Sequence, residues 1–396
     1  MRIALLTRRY PPERCGVGDC AAQLARAYAA RGDDVVVFTE AGPGRERRDG
    51  QVVELPMRGW RDLGALVRAL EGAQPNRVLF EYSNYGWSRW GCAGWLNALA
   101  LALRLRGVPL HVALHEFVVH WRQHPRLAPL ALLQRLHFWL LAAAAAEVCS
   151  NTRERVRILR RWLPWKRACI QYRPNGSNIP VRPIFAEERR ALRLAAGAGD
   201  GDLVVALFGT YQAGKSFETV IEAVRLAERA HPLRLWLVGD TAPARPEYVR
   251  RLQQEAATLR GGAHWTGALP AEQVSACLQA ADIFVLPQAD GHLTRSGSFM
   301  AAAAHGLPVI AVRDAENQRE FAHGANLHLV ERSTADGFAE ALSTLGENSA
   351  ERRRMGAGLR QLYLQQFDWP ALIAGGAPES PGRTAATIPG TVAATE

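Results

Sequence analysis

A chain of 396 residues, 48% hydrophobic and 22% charged, has ordinary globular composition and a length that suits two domains rather than one. Its net charge of +10 suggests nucleic acid, yet all but two of its 48 basic residues are arginine, and no basic run with interleaved stacking aromatics marks a nucleic-acid module. Six cysteines stand apart without a C-x-x-C pair, which argues against a zinc site or a disulfide framework.

In chain order, "MRIALLTRRYPP" reads as a first strand, its apolar run being too short for a signal peptide. "DVVVFT", "RVLFEY", "LHVALH", "AEVCS" and "ACIQY" follow as strands, with helical runs near 19–31, 62–72, 94–106, 127–145 and 152–162. "YRPNGSNIPVRPIF", with three prolines and an Asn-Gly pair, has the punctuation of an interdomain linker. The alternation then resumes with "LVVALF", "LRLWLVG", "AHWTG", "DIFVLP", "PVIAV" and "NLHLV". Strands alternating with helices predict parallel sheets covered on both faces. The expected division is a first domain over 1–175, a linker over 176–200, a second domain over 201–373 and a disordered tail over 374–396. The most apolar stretch, "FWLLAAAAAEV", falls short of spanning length. The expectation is a soluble, cytoplasmic protein.

"GTYQAGKS", from Gly209 to Ser216, fits the Walker A spacing between a strand-like and a helix-like run. A P-loop would cradle phosphate with successive N–H groups and would use a downstream carboxylate such as Asp240 for magnesium. Its interior, Thr-Tyr-Gln-Ala, lacks the usual glycines. A second phosphate-type segment is "DGHLTRSGS", residues 290–298, between the strand "DIFVLP" and the helix "FMAAAAHG". There Ser296, Gly297 and Ser298 stand at a helix start, where unpaired N–H groups and the dipole favour anions, and Arg295 adds a bidentate donor. Plain N-capping by Ser296 or Ser298 is equally compatible.

Seven stretches in order, "PPERCGVGDCAAQLARAYAARGDDVVVFT", "LHEF", "RPNGSNIP", "FGTYQAGKSFETVIEAV", "LVGD", "HWTGALPAEQVSACLQAADIFVLPQADG" and "AAAAHGLPVIAV", resemble retaining glycosyltransferases of the family 4 type over nearly the whole chain. That resemblance implies an α/β GT-B fold, with two Rossmann-like doubly wound parallel-sheet domains facing a cleft. It implies transfer from a nucleotide-sugar donor with retention, without a metal or other cofactor. The resemblance leaves the acceptor unidentified, with glycans, glycolipids and small natural products all open. Donor contacts are expected from Gly209, Thr210, Lys215, Asp240, Asp290, Gly291, Arg295, Ser296, Gly297 and Ser298. His115 and Glu116 of "LHEF" and Lys215 are the expected catalytic groups. Gly16, Gly18 and Asp19 of the first loop are the expected edge of the acceptor site, Asp19 also being placed to cap the helix that follows.

The chain departs from the family pattern at Leu293 and Ala301, which replace two glutamates, and at Thr210, which replaces an arginine. These losses keep open a degenerate GT-B protein that only binds glycan or nucleotide, and the string "GTYQAGKS" keeps open a P-loop NTPase. "RERVRILRRWLPWKR", residues 153–167, carries seven cations and one acid. Its Arg153, Arg157, Arg160 and Arg161 share a helical face that reads first as a solvated surface and otherwise as a contact for anionic lipid or a phosphorylated acceptor. The tryptophans of "NYGWSRWGCAGW" either line a sugar-stacking groove or fill the core.

Overall fold

The computed structural model of the chain describes residues 1–375 except 14, 43–47, 50, 117, 119–124, 241–245, 289–292 and 315–319. The first sheet contains β1 (Arg2–Leu6), β2 (Asp34–Glu40), β3 (Arg48–Asp49), β4 (Val52–Leu55), β5 (Arg77–Tyr82), β6 (Leu110–Leu114), β7 (Glu147–Ser150) and β8 (Ile170–Tyr172). Their spatial order is β3-β4-β2-β1-β5-β6-β7-β8, parallel except for the two-residue β3 against β4. The second sheet contains β9 (Leu203–Phe208), β10 (Leu233–Val238), β11 (Ala263–Gly267), β12 (Ile283–Leu286), β13 (Val309–Val312) and β14 (His328–Val330), in the order β11-β10-β9-β12-β13-β14.

Central strands buried on both faces need continuous apolar runs rather than alternation. β1 and β9 meet that need: Ile3 to Leu6 and Val204 to Leu207 are fully buried. β4 was not evident in the sequence, because four residues at the sheet margin leave a weak pattern. In each sheet the strand order reverses beside the first strand: β1 pairs with β2 and β5, and β9 pairs with β10 and β12. The loops after those strands therefore diverge and open a crevice at the carboxyl ends.

The segment read as a linker carries structure of its own. A helix over Ala186–Ala195 packs against Ala271–Ala280, and Ile179, Leu192, Ala196 and Ala198 join the second core. Arg193, buried in that helix, pairs with Asp282 at 2.8 Å.

Two stretches connect the halves. After the long helix Ser349–Gln366, the last helix, Trp369–Gly375, returns to lie against Gly16–Ala30 of the first half, and Trp369 and Ile373 pack on its core. The Trp369 indole donates to the Ser177 carbonyl at 2.7 Å, and it covers Gly176 so closely that a Cβ there would lie 2.6 Å from Cε2. The expected tail lies, from residue 376 on, outside the described residues.

Because Gly176 has no room for a side chain, Gly176→Val should destabilise the chain by about 1–3 kcal/mol through overpacking. Trp369→Ala should do so by loss of burial. Thermal unfolding of both variants measures this, and a melting temperature unchanged in Gly176→Val would contradict the packing described.

Candidate active site between the two sheets

The second sheet supplies a floor of backbone. β9 and β10 run out into Gly209 and Gly239, at φ +138° and +122°. A Cβ on Gly239 would stand 2.2 Å from the Gly209 carbonyl oxygen, and one on Gly209 would stand 2.9 Å from Ser298 Oγ. Glycine is thus required by close approach at both positions. Beyond them the loop turns over Tyr211, which is fully buried. Its hydroxyl donates to the Leu207 and Val238 carbonyls at 3.1 and 3.3 Å, and its amide donates to the Asp240 carbonyl. That amide is committed to the neighbouring loop, so the Walker-like string does not present its N–H groups in succession as a phosphate nest. Lys215 Nζ donates to the Thr210 carbonyl at 3.2 Å, which places the ammonium over the strand end beside Thr210 and Asp240.

The helix Gly297–Ala304 faces this loop. Ser296 is its N-cap, its Oγ accepting from Phe299 N at 3.2 Å. Capping thus falls to Ser296, and Ser298 lines the cleft with Gly297. Leu293 and Ala301, the positions where the family pattern has glutamates, are both buried in the second core. Arg295 ends the short turn Leu293–Arg295, and its carbonyl accepts from Asn175 Nδ2 at 2.8 Å. Asp290 and Gly291 lie outside the described residues.

The first half closes the cleft from the other side. The helix Gly16–Ala30 begins after Cys15, with no side-chain cap, and Asp19 sits inside its first turn. Asp19 is therefore not the cap; it lines the cleft instead, and burial raises its carboxyl above the usual range. Gly18 serves packing: a Cβ would meet the Arg9 carbonyl oxygen at 2.4 Å. Gly16 accepts at its carbonyl from Asn178 Nδ2 at 3.2 Å. The resulting cleft, of about 530 Å³, brings Gly16 and Asp19 together with Gly209, Thr210, Lys215, Asp240, Gly297 and Ser298.

His115 follows β6, and Nε2 stands 2.6 Å from Glu81 Oε2. Glu81, at the end of β5 and 2% exposed, also receives Arg173 at 2.5 Å. Burial alone would raise the Glu81 carboxyl, but Arg173 and the His115 hydrogen bond outweigh it and hold it at about 2. Such a carboxylate fixes the ring orientation of a histidine. Glu81 and Arg173 were missed in the sequence, although an acid inside the apolar run "RVLFEY" was a signal that a buried partner must exist. Glu116 accepts from Ser83 Oγ at 2.7 Å and from the Tyr85 amide at 3.2 Å. Ser83, Tyr85 and Glu81 line a second hollow of about 260 Å³, with Arg8 and Cys15. Of the tryptophans nearby, Trp87 and Trp95 are buried edge to face at 5.6 Å, whereas Trp90 is exposed.

Two family models match the chain. One, Glycosyl transferase 4-like domain, covers residues 15–176, and the other, Glycosyl transferases group 1, covers residues 202–348. The chain is a GT-B glycosyltransferase of the family 4 type. It is 29% identical to the 2-deoxystreptamine N-acetyl-D-glucosaminyltransferase of Streptomyces fradiae over 338 residues, 76% of each chain. It is 27% identical to the lipopolysaccharide core biosynthesis glycosyltransferase LpsE of Rhizobium meliloti over 210 residues, 53% of this chain and 57% of that one. Anabaena HepE, solved with UDP and glucose, shares the fold at TM-score 0.71 and 18% identity, covering 94% of this chain and 98% of its own. The glycosyltransferase WaaG is similar at TM-score 0.63 and 17% identity, with 95% and 100% covered. This transferase therefore carries its Walker-like string within the group 1 domain.

The depressed carboxyl of Glu81 makes a pH prediction. Its folded value of about 2 lies below the ordinary 4.5, so its contribution to stability is complete above pH 4.5 and is lost as the pH falls toward 2. Glu81→Gln should cost about 3 kcal/mol at neutral pH by stranding Arg173. It should also flatten the acid limb of the melting-temperature profile, and an acid limb as steep as wild type would show that Glu81 does not carry it.

Proposed function

We propose that this transferase binds a nucleoside-diphosphate sugar along the second half of the cleft. The sugar then passes, with retention and without a metal, to an acceptor held by the first half. One observation carries the reading. The ammonium of Lys215 and the start of the helix at Gly297 and Ser298 line the same cleft as Gly16 and Asp19. Cleaving the bond from the anomeric carbon to the diphosphate leaves new negative charge on the departing phosphate oxygen. A preorganised ammonium and helix-end N–H groups stabilise that charge without reorganising. The bond that forms joins the anomeric carbon to an acceptor oxygen, whose proton is released.

In this reading His115, oriented by Glu81, contacts the sugar, and Glu116 with the Ser83–Tyr85 turn orients the acceptor in the adjoining hollow. Glutamates at the positions of Leu293 and Ala301 would place carboxylates in the second core, so the hydroxyls of the donor are read instead by residues of the cleft wall, Asp240 among them. HepE was solved with UDP and with UDP-glucose, which makes UDP the first nucleotide to test.

Lys215→Ala should lower kcat/KM for sugar transfer by about 10²–10³-fold, the range for losing one preorganised donor at a developing charge. It should also abolish the thermal stabilisation that a nucleoside diphosphate gives without magnesium. Hydrolysis of ATP that depends on magnesium and on Lys215, with no response to UDP-sugars, would overturn the proposal. NMR of the product reads the anomeric configuration, and inversion would remove retention from the reading.

A further inference from the structure

The two faces of the first sheet are not equally covered. Leu5, Leu79, His111 and Glu147 stand side by side across β1, β5, β6 and β7, and they share the face on which Gly16–Ala30 and Trp369–Gly375 pack. Those helices cover Ile3, Leu5 and Leu79. Beyond them the face opens on a cavity of about 600 Å³, lined by Tyr28, Arg31, Arg77, His111, Glu147 and Arg173. Parallel sheets are ordinarily covered on both faces, but an apolar cover here would strand several charges. None of these residues lines the cleft or the hollow beside it.

Two groups in the cavity lack what they need. Arg77 Nε is buried without a hydrogen-bond partner, and no described residue accepts from the rest of that guanidinium. Tyr28 is 5% exposed, yet its hydroxyl is bonded to no described residue. Arg31 and Arg77 lie over the Tyr28 ring at 4.8 and 5.2 Å. Burial raises the Tyr28 hydroxyl above its ordinary value, and Arg77, Arg173 and Arg31 oppose that rise, so three guanidinium groups surround one hydroxyl. Buried donors left unsatisfied cost stability and call for an explanation.

The neighbouring charges show which donors remain. Asp33 takes both the N-terminal ammonium, at 2.8 Å, and Arg31, at 2.6 Å, and Arg31 also donates to the Ile373 carbonyl. Glu81 takes Nη2 of Arg173. Glu147 lies 3.4 Å from His111, which holds its carboxyl below the ordinary value, with Arg173 and Arg77 adding from farther off. Four cations thus face three carboxylates, and Arg77 has no ion pair among the described residues. A carboxylate offers acceptors to a single fork, whereas a phosphate offers three oxygens to separate donors. Glu147 would repel a bare anion and accepts readily from hydroxyls, so the lining suits a ligand with both kinds of group.

We propose that this cavity binds a small phosphomonoester bearing hydroxyl groups. Its phosphate rests on Arg77, the Tyr28 hydroxyl and the outer edge of Arg173, and its hydroxyls face Glu147 and His111. The site is distinct from that of the nucleotide-sugar and does not depend on the transfer reading. Arg173 nevertheless connects the two, since the same guanidinium backs Glu81 and through it His115.

Isothermal titration calorimetry of the full chain with ribose 5-phosphate, ribose and inorganic phosphate tests the proposal. Ribose 5-phosphate should bind more tightly than either fragment, and equally to wild type and to Lys215→Ala, which separates this cavity from the donor half of the cleft. Arg77→Met should weaken that binding on the order of tenfold, and Tyr28→Phe by about fivefold. Neither should lower the melting temperature of the ligand-free chain, because each removes polar atoms that have no partner there. Absence of binding by wild type at millimolar concentration, binding abolished by Lys215→Ala, or binding undiminished in both cavity variants would overturn the proposal. A melting temperature lowered in both variants would do the same, since the two groups would then serve packing. Inorganic phosphate binding as tightly as ribose 5-phosphate would reduce the site to an adventitious ion only.

Discussion

The short segment from Pro174 to Asn178 holds the cleft in shape, because its polar groups are hydrogen-bonded to both halves. Asn175 donates from its backbone to the Thr294 carbonyl and from its side chain to the Arg295 carbonyl. Asn178 accepts from Cys20 Sγ at 3.2 Å and donates to Gly16. Thr294 in turn donates to the Asn151 carbonyl at 2.9 Å. The turn before the helix at Gly297 is thereby fixed against the first domain. Such bonds are individually worth about 1 kcal/mol, but several made within five residues define a register between the two sheets. Trp369 clasps the same segment from the second crossing of the chain, so the two connections brace each other rather than act as independent tethers.

Within the first half the governing element is a buried charge. Glu81 would be costly alone in the strand end that carries it, and Arg173 and His115 satisfy both carboxylate oxygens. Because neither partner can leave without exposing a buried ion, β5, β6 and the segment after β8 are held at their carboxyl ends. The imidazole is aimed as a consequence. Stability and positioning are here the same interaction, which is why a structural substitution at Glu81 is expected to reach His115.

Much of this was legible beforehand in particular stretches. The apolar runs of β1, β9 and β12 could be read as buried parallel strands, and "GTYQAGKS" and "TRSGS" as loop-to-helix turns facing one ligand. Other features resisted for identifiable reasons. Asp19 looks like a helix cap on sequence, but the helix begins three residues earlier, at Gly16, because backbone geometry decides its start. Tyr211 reads as a bulky flaw in a P-loop until its ring is seen beneath the loop, against Phe217 and Trp265. The helix Ala128–Ala144 is recognisably apolar, yet nothing in its periodicity tells that Leu132, Leu133 and Leu136 face water while Gln134 and His137 find buried partners.

By itself, the sequence determined the alternation of strands and helices and the residue types available to meet a phosphate. Those follow from local patterning, turn chemistry and chirality, which act over a few residues. Only the tertiary structure decided which of those residues share a cleft, that Glu81 and Arg173 stand behind His115, and that leucines rather than Gln134 and His137 face outward. Each of these pairs groups far apart in the chain, and burial and hydrogen-bond satisfaction are properties of the assembled neighbourhood rather than of the residue.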